Sequence, residues 1–447
     1  MRAKPALRYY GWCIVGVALV AQLVQVGTQV YATGIFLKPM SDELGWSRES
    51  FSAVQTLSTV VMGGLGLFIG TAVDRRGPRS LMLVGGVIAG ASLVATAFVH
   101  TLWEFYLARG VAQTVGMALF GSLVVNVTVA RWFVARRGMA IALASVGISL
   151  GGVLMVPLVS WWVGDYGWRT AWVLQGILVW VVVLPAALLM RRAPEDFGQM
   201  PDGMSEDEAA AYTAATKRVS AASEVQWTRA EAVRTRALWM IICGYGVGMM
   251  GSIGLLLHAV PMLADAGFDR GTAAALYSMW AWMALVAKLF WGAVMDRFHP
   301  RYLSAISFLS GAIGLAALAP AVQTGSVPLV ALGFAAIGFS FGGSAPMQET
   351  VWAGYFGRAH LGEIRSIAMP FSIIFSAGGP LLGGILYDRT GDYGMALLIF
   401  AAFTALGALL VLLARPPELP PRAEPATGPS PRREQRAVRA EPADVTT

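Results

Sequence analysis

Residues 276–301 read LYSMWAWMALVAKLFWGAVMDRFHPR, and the reading of this stretch decides the fold. About twenty apolar residues run here with a single charge, Lys288, among them, which is long enough to cross a bilayer. An ammonium in hydrocarbon costs several kcal/mol unless it meets water, a partner or a ligand, so Lys288 is a functional candidate. The alternative is that Lys288 snorkels to the nearer interface, roughly 10 Å away at ~1.5 Å per residue. Helical side chains lean toward the helix start, which for this span is the direction of the membrane centre. Ala284 and Ala281, one and two turns back, leave a lane for the lysine stem, and Tyr277 continues the same side. The stretch ends in Gly292-x-x-x-Asp296-Arg297-x-x-Pro300-Arg301.

Working outward, the 447-residue chain is 56% hydrophobic and only 13% charged. Soluble domains carry about a quarter charged residues, so this is an all-α membrane protein that crosses the bilayer many times. Its pI near 9.6 does not indicate nucleic acid, because the basic residues sit in short loops between apolar runs. The two cysteines, Cys13 and Cys243, lie inside apolar spans and offer neither a disulfide framework nor a metal site. Apolar runs fall near 9–36, 50–73, 80–99, 103–130, 139–163, 169–190, 237–263, 272–295, 302–323, 326–352, 366–387 and 393–414, which predicts twelve transmembrane helices. Arginines collect on alternate connections: Arg75, Arg76 and Arg79; Arg131, Arg136 and Arg137; Arg191 and Arg192; Arg297 and Arg301; Arg358 and Arg365. The remaining connections are short and mostly acidic or neutral, so both termini are expected in the cytoplasm.

The chain echoes itself. Gly70-x-x-x-Asp74-Arg75-x-x-Pro78-Arg79 after the second span repeats the motif after the eighth, at the same spacing. Gly151-Gly152 with Gly164-Asp165-Tyr166-Gly167 is likewise repeated by Gly378-Gly379 with Gly391-Asp392-Tyr393-Gly394. Each echo lies six spans from its partner, which predicts two parallel six-helix halves, 1–190 and 237–415. A linker at 191–236 joins them, with surface helices expected at Ser205–Arg218 and Thr228–Arg236. A disordered tail is expected at 416–447. In the Asp-Arg motif, Gly lets helices touch, Asp ends one helix and Arg pairs across to neighbours. Asp74, Arg75, Arg79, Arg131, Asp296, Arg297 and Arg301 are therefore candidates for a cytoplasmic gate, with Asp74 expected to reach Arg131. The alternative is that these arginines only set topology and the aspartates only cap.

At these residues the chain resembles the major facilitator superfamily, and within it bacterial relatives of the monocarboxylate transporters. The second resemblance rests on Tyr9-Tyr10-Gly11-Trp12, Gly34-Ile35-Phe36-Leu37-Lys38-Pro39, Leu44-Gly45-Trp46-Ser47-Arg48, Pro194-Glu195-Asp196, and Tyr355-Phe356-Gly357-Arg358 with Leu361-Gly362. It implies the twelve-helix fold and secondary transport of a small organic anion, a monocarboxylate, with a proton by alternating access at a cell membrane. It further implies that Lys288 stands where the family places a substrate-binding cation, usually arginine. The family's acidic residue one turn earlier is Ala284 here. The related oxalate–formate antiporters use a second cation on span eleven, where this chain has only Arg365 at the cytoplasmic edge. No cofactor, catalytic residue or metal is expected, and a monomer is.

Other polar residues inside the spans complete the candidates. His258, before Pro261, is the candidate for proton coupling, against the reading of a neutral histidine bonded to a neighbour. Glu349 is expected in an interface ion pair. Arg109, inside the fourth span, resembles an arginine of proton-coupled superfamily members, although the glycines that usually follow it are displaced here, with Gln113 and then Gly116; the alternative is a pair with Glu104. Gln22, Gln25, Thr28 and Tyr31 recur on one side of the first span and, with Asn126, are expected to line a cavity; Tyr31, Tyr277, Asn126 and Gln25 join Lys288 as candidate substrate contacts. A carboxylate–proton symporter is the first reading; its alternatives are a proton antiporter that exports amphipathic compounds and an organic-anion exchanger of the oxalate–formate type, the latter by resemblance. The exporter class usually relies on a buried acid. An enzyme would need clustered His, Asp or Glu, or a nucleotide loop, and the chain has neither.

Overall fold

The computed structural model describes residues 9–205, 208, 227–295, 297–357 and 361–417. Ten helices among them are long and apolar enough to cross a membrane. One of these, Arg137–Leu189, is two helices in line, broken where Gly167 takes φ +78°. Arg48–Arg76 completes the set. In chain order the spans are α1 (Gly11–Leu44), α2 (Arg48–Arg76), α3 (Pro78–Thr96), α4 (Leu102–Trp132), α5 (137–166) and α6 (168–189). The second set is α7 (Arg236–Asp265), α8 (Arg270–Met295), α9 (Pro300–Gln323), α10 (Val327–Phe356), α11 (Leu361–Thr390) and α12 (Gly394–Leu413).

Local chemistry fixes where the helices begin and end. Ser47 caps α2 by accepting from the Ser50 amide, Thr101 and Glu104 form a capping box on α4, and Thr235 caps α7. Asp269 does the same for α8: its carboxyl accepts the Thr272 amide at 3.0 Å, and the Thr272 hydroxyl and amide hold it below the usual carboxylate range. Pro78 opens α3 directly after Gly77, at φ +74°, which closes α2. Helix α1 runs past the apolar stretch, through Pro39 to Leu44, and its last turns carry charges that find partners, Lys38 with Asp265 of the other half and Glu43 with Arg169 of its own.

The halves pack alike. In the first, α1 lies on α5, α3 on α6 and α4; in the second, α7 lies on α11, α9 on α12 and α10. The repeated Gly-Gly pairs explain the first correspondence. A Cβ on Gly151 would stand 2.7 Å from the Leu23 carbonyl of α1, and one on Gly379 would stand 2.4 Å from the Met250 carbonyl of α7. The Gly-Asp-Tyr-Gly echoes make the following turns, with the left-handed residue last in one copy (Gly167) and first in the other (Gly391). Between the halves, α2 packs on α11 and α5 on α8, two seams that exchange when the halves exchange.

The expected role of the motif glycines is corrected: among the described residues a Cβ at Gly70 or Gly292 would meet nothing within 4 Å, so neither brings described helices together. The linker is anchored at both described ends. Asp202 accepts the amides of Val134, Ala135 and Arg136 at 2.6–3.0 Å, and the Trp227 amide reaches the Phe356 carbonyl. Of the two expected surface helices, Arg229–Val233 is present behind its Thr228 cap; the other lies outside the described residues, apart from Ser205 and Glu208.

Candidate functional site

Lys288 faces α5 across the seam between the halves. Its Nζ donates to Ser149 Oγ at 3.0 Å and toward the Ser145 carbonyl at 3.4 Å. Among the described residues no carboxylate pairs with it. Ala281 packs its methyl group against Gly152 of α5, where a Cβ would stand 2.6 Å away, and Ala284 presents its carbonyl to Gly342 of α10; both are helix contacts and neither describes a lane for the lysine stem. Further along the seam, Tyr31 and Tyr277 pack with ring centroids 6.1 Å apart, and the Tyr277 hydroxyl donates to the Leu256 carbonyl at 2.8 Å. Lys288, Tyr31 and Tyr277 thus share the α1–α5–α8 surface.

The other two candidates lie elsewhere. Asn126 accepts from Gln22 at 3.4 Å, and Gln25 bonds Gln29 and Ser122. Gln25 lines a cavity of about 420 Å³ between α1, α2, α4 and α11, with Gln29, Gln55, Ser58 and Ser376 among its walls. The five candidates therefore form two groups on opposite sides of α1. Ser145 and Ser149 were not legible as partners of Lys288, because serines in apolar helices are common and nothing in the spacing singles these out.

The densest polar contacts between the halves are at the end of the bundle where α1 finishes. Arg48, at the start of α2, is 6% exposed. It reaches Asp265 of α7 at 2.6 Å and donates to the Tyr393 hydroxyl at 2.6 Å, and its guanidinium stacks 3.6 Å over the Tyr387 ring. Asp388 of α11 caps the same helix start from across the seam, accepting the Arg48 and Glu49 amides at 3.2 and 2.8 Å. Lys38 adds a pair to Asp265 at 3.1 Å. His258 lies directly beneath. Its Nε2 donates to the Pro380 carbonyl at 2.8 Å, which leaves Nδ1 to accept from the Tyr393 hydroxyl at 3.0 Å. Ser52 of α2 approaches Nε2 at 3.3 Å. Both ring nitrogens are thereby occupied by one half while the other half touches the ring.

At the opposite end, Arg75, Arg79 and Arg297 are exposed, Arg301 donates to the Tyr302 hydroxyl at 2.6 Å, and Arg131 is half-buried. The Asp74 side chain and the whole of Asp296 lie outside the described residues, so the expected Asp74–Arg131 contact does too. Glu349 pairs with Arg365 at 2.6 Å, the ion pair its position suggests. The alternative pair of Arg109 with Glu104 is corrected. Glu104 accepts the His100 and Thr101 amides, which cap the helix and turn its carboxylate outward.

The sequence profile of the Major Facilitator Superfamily matches residues 18–269 and again 244–443, once for each half. Monocarboxylate transporter 11 of Mus musculus is 27% identical over 90% of this chain and 87% of its own length. The oxalate:formate antiporter of Oxalobacter formigenes is 23% identical over 91% and 93%. The crystal structure of a D-xylose-proton symporter superposes with a TM-score of 0.71 at 16% identity, covering 91% of this chain and 98% of that one, a likeness of fold. The chain belongs to the Major Facilitator Superfamily and is a multi-pass membrane transporter rather than an enzyme.

Proposed function

We propose that this protein moves a small carboxylate anion, a monocarboxylate, together with a proton by alternating access, and that Lys288 is the carboxylate's partner. One observation carries the reading: Lys288 stands at the seam between the halves and, among the described residues, is bonded to a serine hydroxyl and a carbonyl with no carboxylate to balance its charge. Charges inside membranes are paired or mark a substrate path, and an anionic substrate supplies the missing partner. Tyr31 and Tyr277 complete this surface, and Gln25 and Asn126 border the path on the other side of α1. The relatives named for monocarboxylates and for oxalate and formate support an anion as cargo.

The Arg48–Asp265 cluster serves as the gate at one membrane face, and the Asp-Arg clusters at Asp74, Arg75, Arg79 and Arg131 and at Asp296, Arg297 and Arg301 serve at the other. His258 is the proton carrier in this scheme: a second ring proton turns Nδ1 from acceptor to donor, so the Tyr393 hydroxyl has to turn its own hydrogen away to keep the bond. By the arginine-rich loops, the protein lies in the cell membrane with both termini in the cytoplasm. It works as a monomer.

The test is uptake of a labelled carboxylate panel into proteoliposomes, with and without a pH gradient. Losing one partner of a desolvated charge pair costs about 2–5 kcal/mol. At ~1.4 kcal/mol per tenfold, Lys288→Ala should weaken carboxylate binding by tens-fold or more, and Lys288→Arg should keep part of it. Wild-type carboxylate transport by Lys288→Ala would overturn the anion reading and favour export of amphipathic compounds.

A further inference from the structure

A second cation is buried more completely than Lys288, and the transport scheme above does not use it. Arg109 of α4 is 0% exposed. Its Nη2 donates to the Gln29 carbonyl at 2.8 Å and to Thr33 Oγ1 at 2.5 Å, while Thr33 in turn donates to the same carbonyl at 2.7 Å. Among the described residues its Nε and Nη1 have no hydrogen-bond partner and no carboxylate pairs with it. One turn on, Gln113 is also 0% exposed with neither amide atom bonded, and nearby on α1 the Thr28 hydroxyl is buried and unpartnered. Each such atom costs about 1–3 kcal/mol, and an unpaired buried charge more, so the group calls for a ligand rather than for packing.

Position says which ligand space it serves. Met117 and Ala118 of α4 line the 420 Å³ cavity, Gln113 stands one turn before Met117, and Arg109 lies within the adjoining π turn. Gln29 belongs to both, because its side chain lines the cavity and its carbonyl holds Arg109. Both helices that meet here also loosen here: α1 makes a π turn at Gly27–Tyr31 and α4 another at Tyr106–Ala112. Such turns widen a helix by one residue and recur at functional sites.

We propose that Arg109 and Gln113 form a second carboxylate position at the end of the cavity between α1, α2, α4 and α11. The guanidinium supplies the charge and one bond, from Nη1 or Nε, because Nη2, which a two-bond fork would need, is held by Gln29 and Thr33; the Gln113 amide donates to the same carboxylate once the Gln29 side chain turns aside. The position is separate from Lys288, and it rests on the transport reading only for why a carboxylate enters the cavity.

Binding tests it independently of transport. Purified protein is titrated with acetate, oxalate or chloride at constant ionic strength, and the shift in unfolding temperature gives an apparent Kd. Lys288→Gln should retain a carboxylate-dependent shift that chloride does not reproduce. Adding Arg109→Gln should weaken it at least thirty-fold, about 2 kcal/mol. Adding Arg109→Lys should keep part of it, and adding Gln113→Leu should weaken it without removing the charge. Should Arg109→Gln fail to fold, Gln113→Leu carries the same prediction. Unchanged binding on loss of Arg109 or Gln113, or an equal chloride shift, overturns the second position. Complete loss of binding in Lys288→Gln alone also overturns it while leaving the Lys288 reading intact. Loss through Arg109→Gln alone, with Lys288→Gln unaffected, removes Lys288 instead.

Discussion

Asp265→Asn tests whether the cluster around Arg48 holds one face of the transporter shut. The substitution removes the carboxylate that pairs with Arg48 at 2.6 Å and with Lys38 at 3.1 Å. Side-chain exposures of 8% and 22% make the Arg48 pair largely desolvated, and losing one partner of such a pair costs about 2–5 kcal/mol. Asp265 keeps some contact with solvent, which argues for the lower end. The Lys38 pair is more exposed and adds less than about 1 kcal/mol. If the cluster breaks when that face opens, the loss falls on the closed state alone, and ~2 kcal/mol shifts the closed-to-open ratio roughly thirty-fold. The assay is labelling of a cysteine at Thr56, which sits below the cluster and bonds the Ala377 carbonyl across the seam. With Cys13 and Cys243 replaced, a membrane-impermeant maleimide added to intact cells should label Thr56→Cys at least tenfold faster in the Asp265→Asn background. Equal labelling rates in the two backgrounds would show that the cluster is structural and does not gate.

Ser149→Asp places a fixed carboxylate beside Lys288 and should abolish carboxylate uptake by occupying its partner, whereas Ser149→Ala should change the apparent affinity by about tenfold or less, the worth of one hydrogen bond; uptake by Ser149→Asp at the wild-type rate would separate Lys288 from the substrate. His258→Gln should remove the effect of an imposed pH gradient on accumulation yet leave substrate exchange measurable, and gradient-driven accumulation equal to wild type would exclude His258 as proton carrier. Gly147→Ala drives a methyl to within 2.1 Å of the Leu19 carbonyl and should lower stability by about 1–3 kcal/mol, read as a fall in unfolding temperature, while Gly292→Ala, which meets nothing within 4 Å, should leave it unchanged or raise it.

The fold was legible because its signals are repeated and long. Twenty-residue apolar runs have one reading in a bilayer, and two motifs recurring six spans apart force two halves with the same helix pairing. The Gly-Gly echo marks equivalent contacts in the two halves, α5 on α1 and α11 on α7, since backbone approach requires the missing side chain at both places, although the sequence did not say which helices would meet there. The Gly70 and Gly292 echo failed in the same respect. Their spacing is identical, yet both face open space, so repetition reported descent and topology there rather than packing.

The candidate site was legible only one residue at a time. A charge among apolar residues is visible in any sequence, which is why Lys288, His258 and Arg109 stood out. What each touches depends on α1, whose one side faces α5 and α8 while the other faces α4, and on a π turn at Gly27–Tyr31 that shifts the helical phase between Gln25 and Tyr31. At 3.6 residues per turn Gln25 and Tyr31 already lie about 120° apart, too far for one surface, and the extra residue in that turn shifts the phase between them further. The cluster around Arg48 was hidden for another reason. Arg48, Asp265 and Asp388 each sit at a helix end near a charged loop, where sequence alone assigns them to topology or capping. Only the packing of α2 against α7 and α11 turns three separate helix termini into a buried contact between the moving halves.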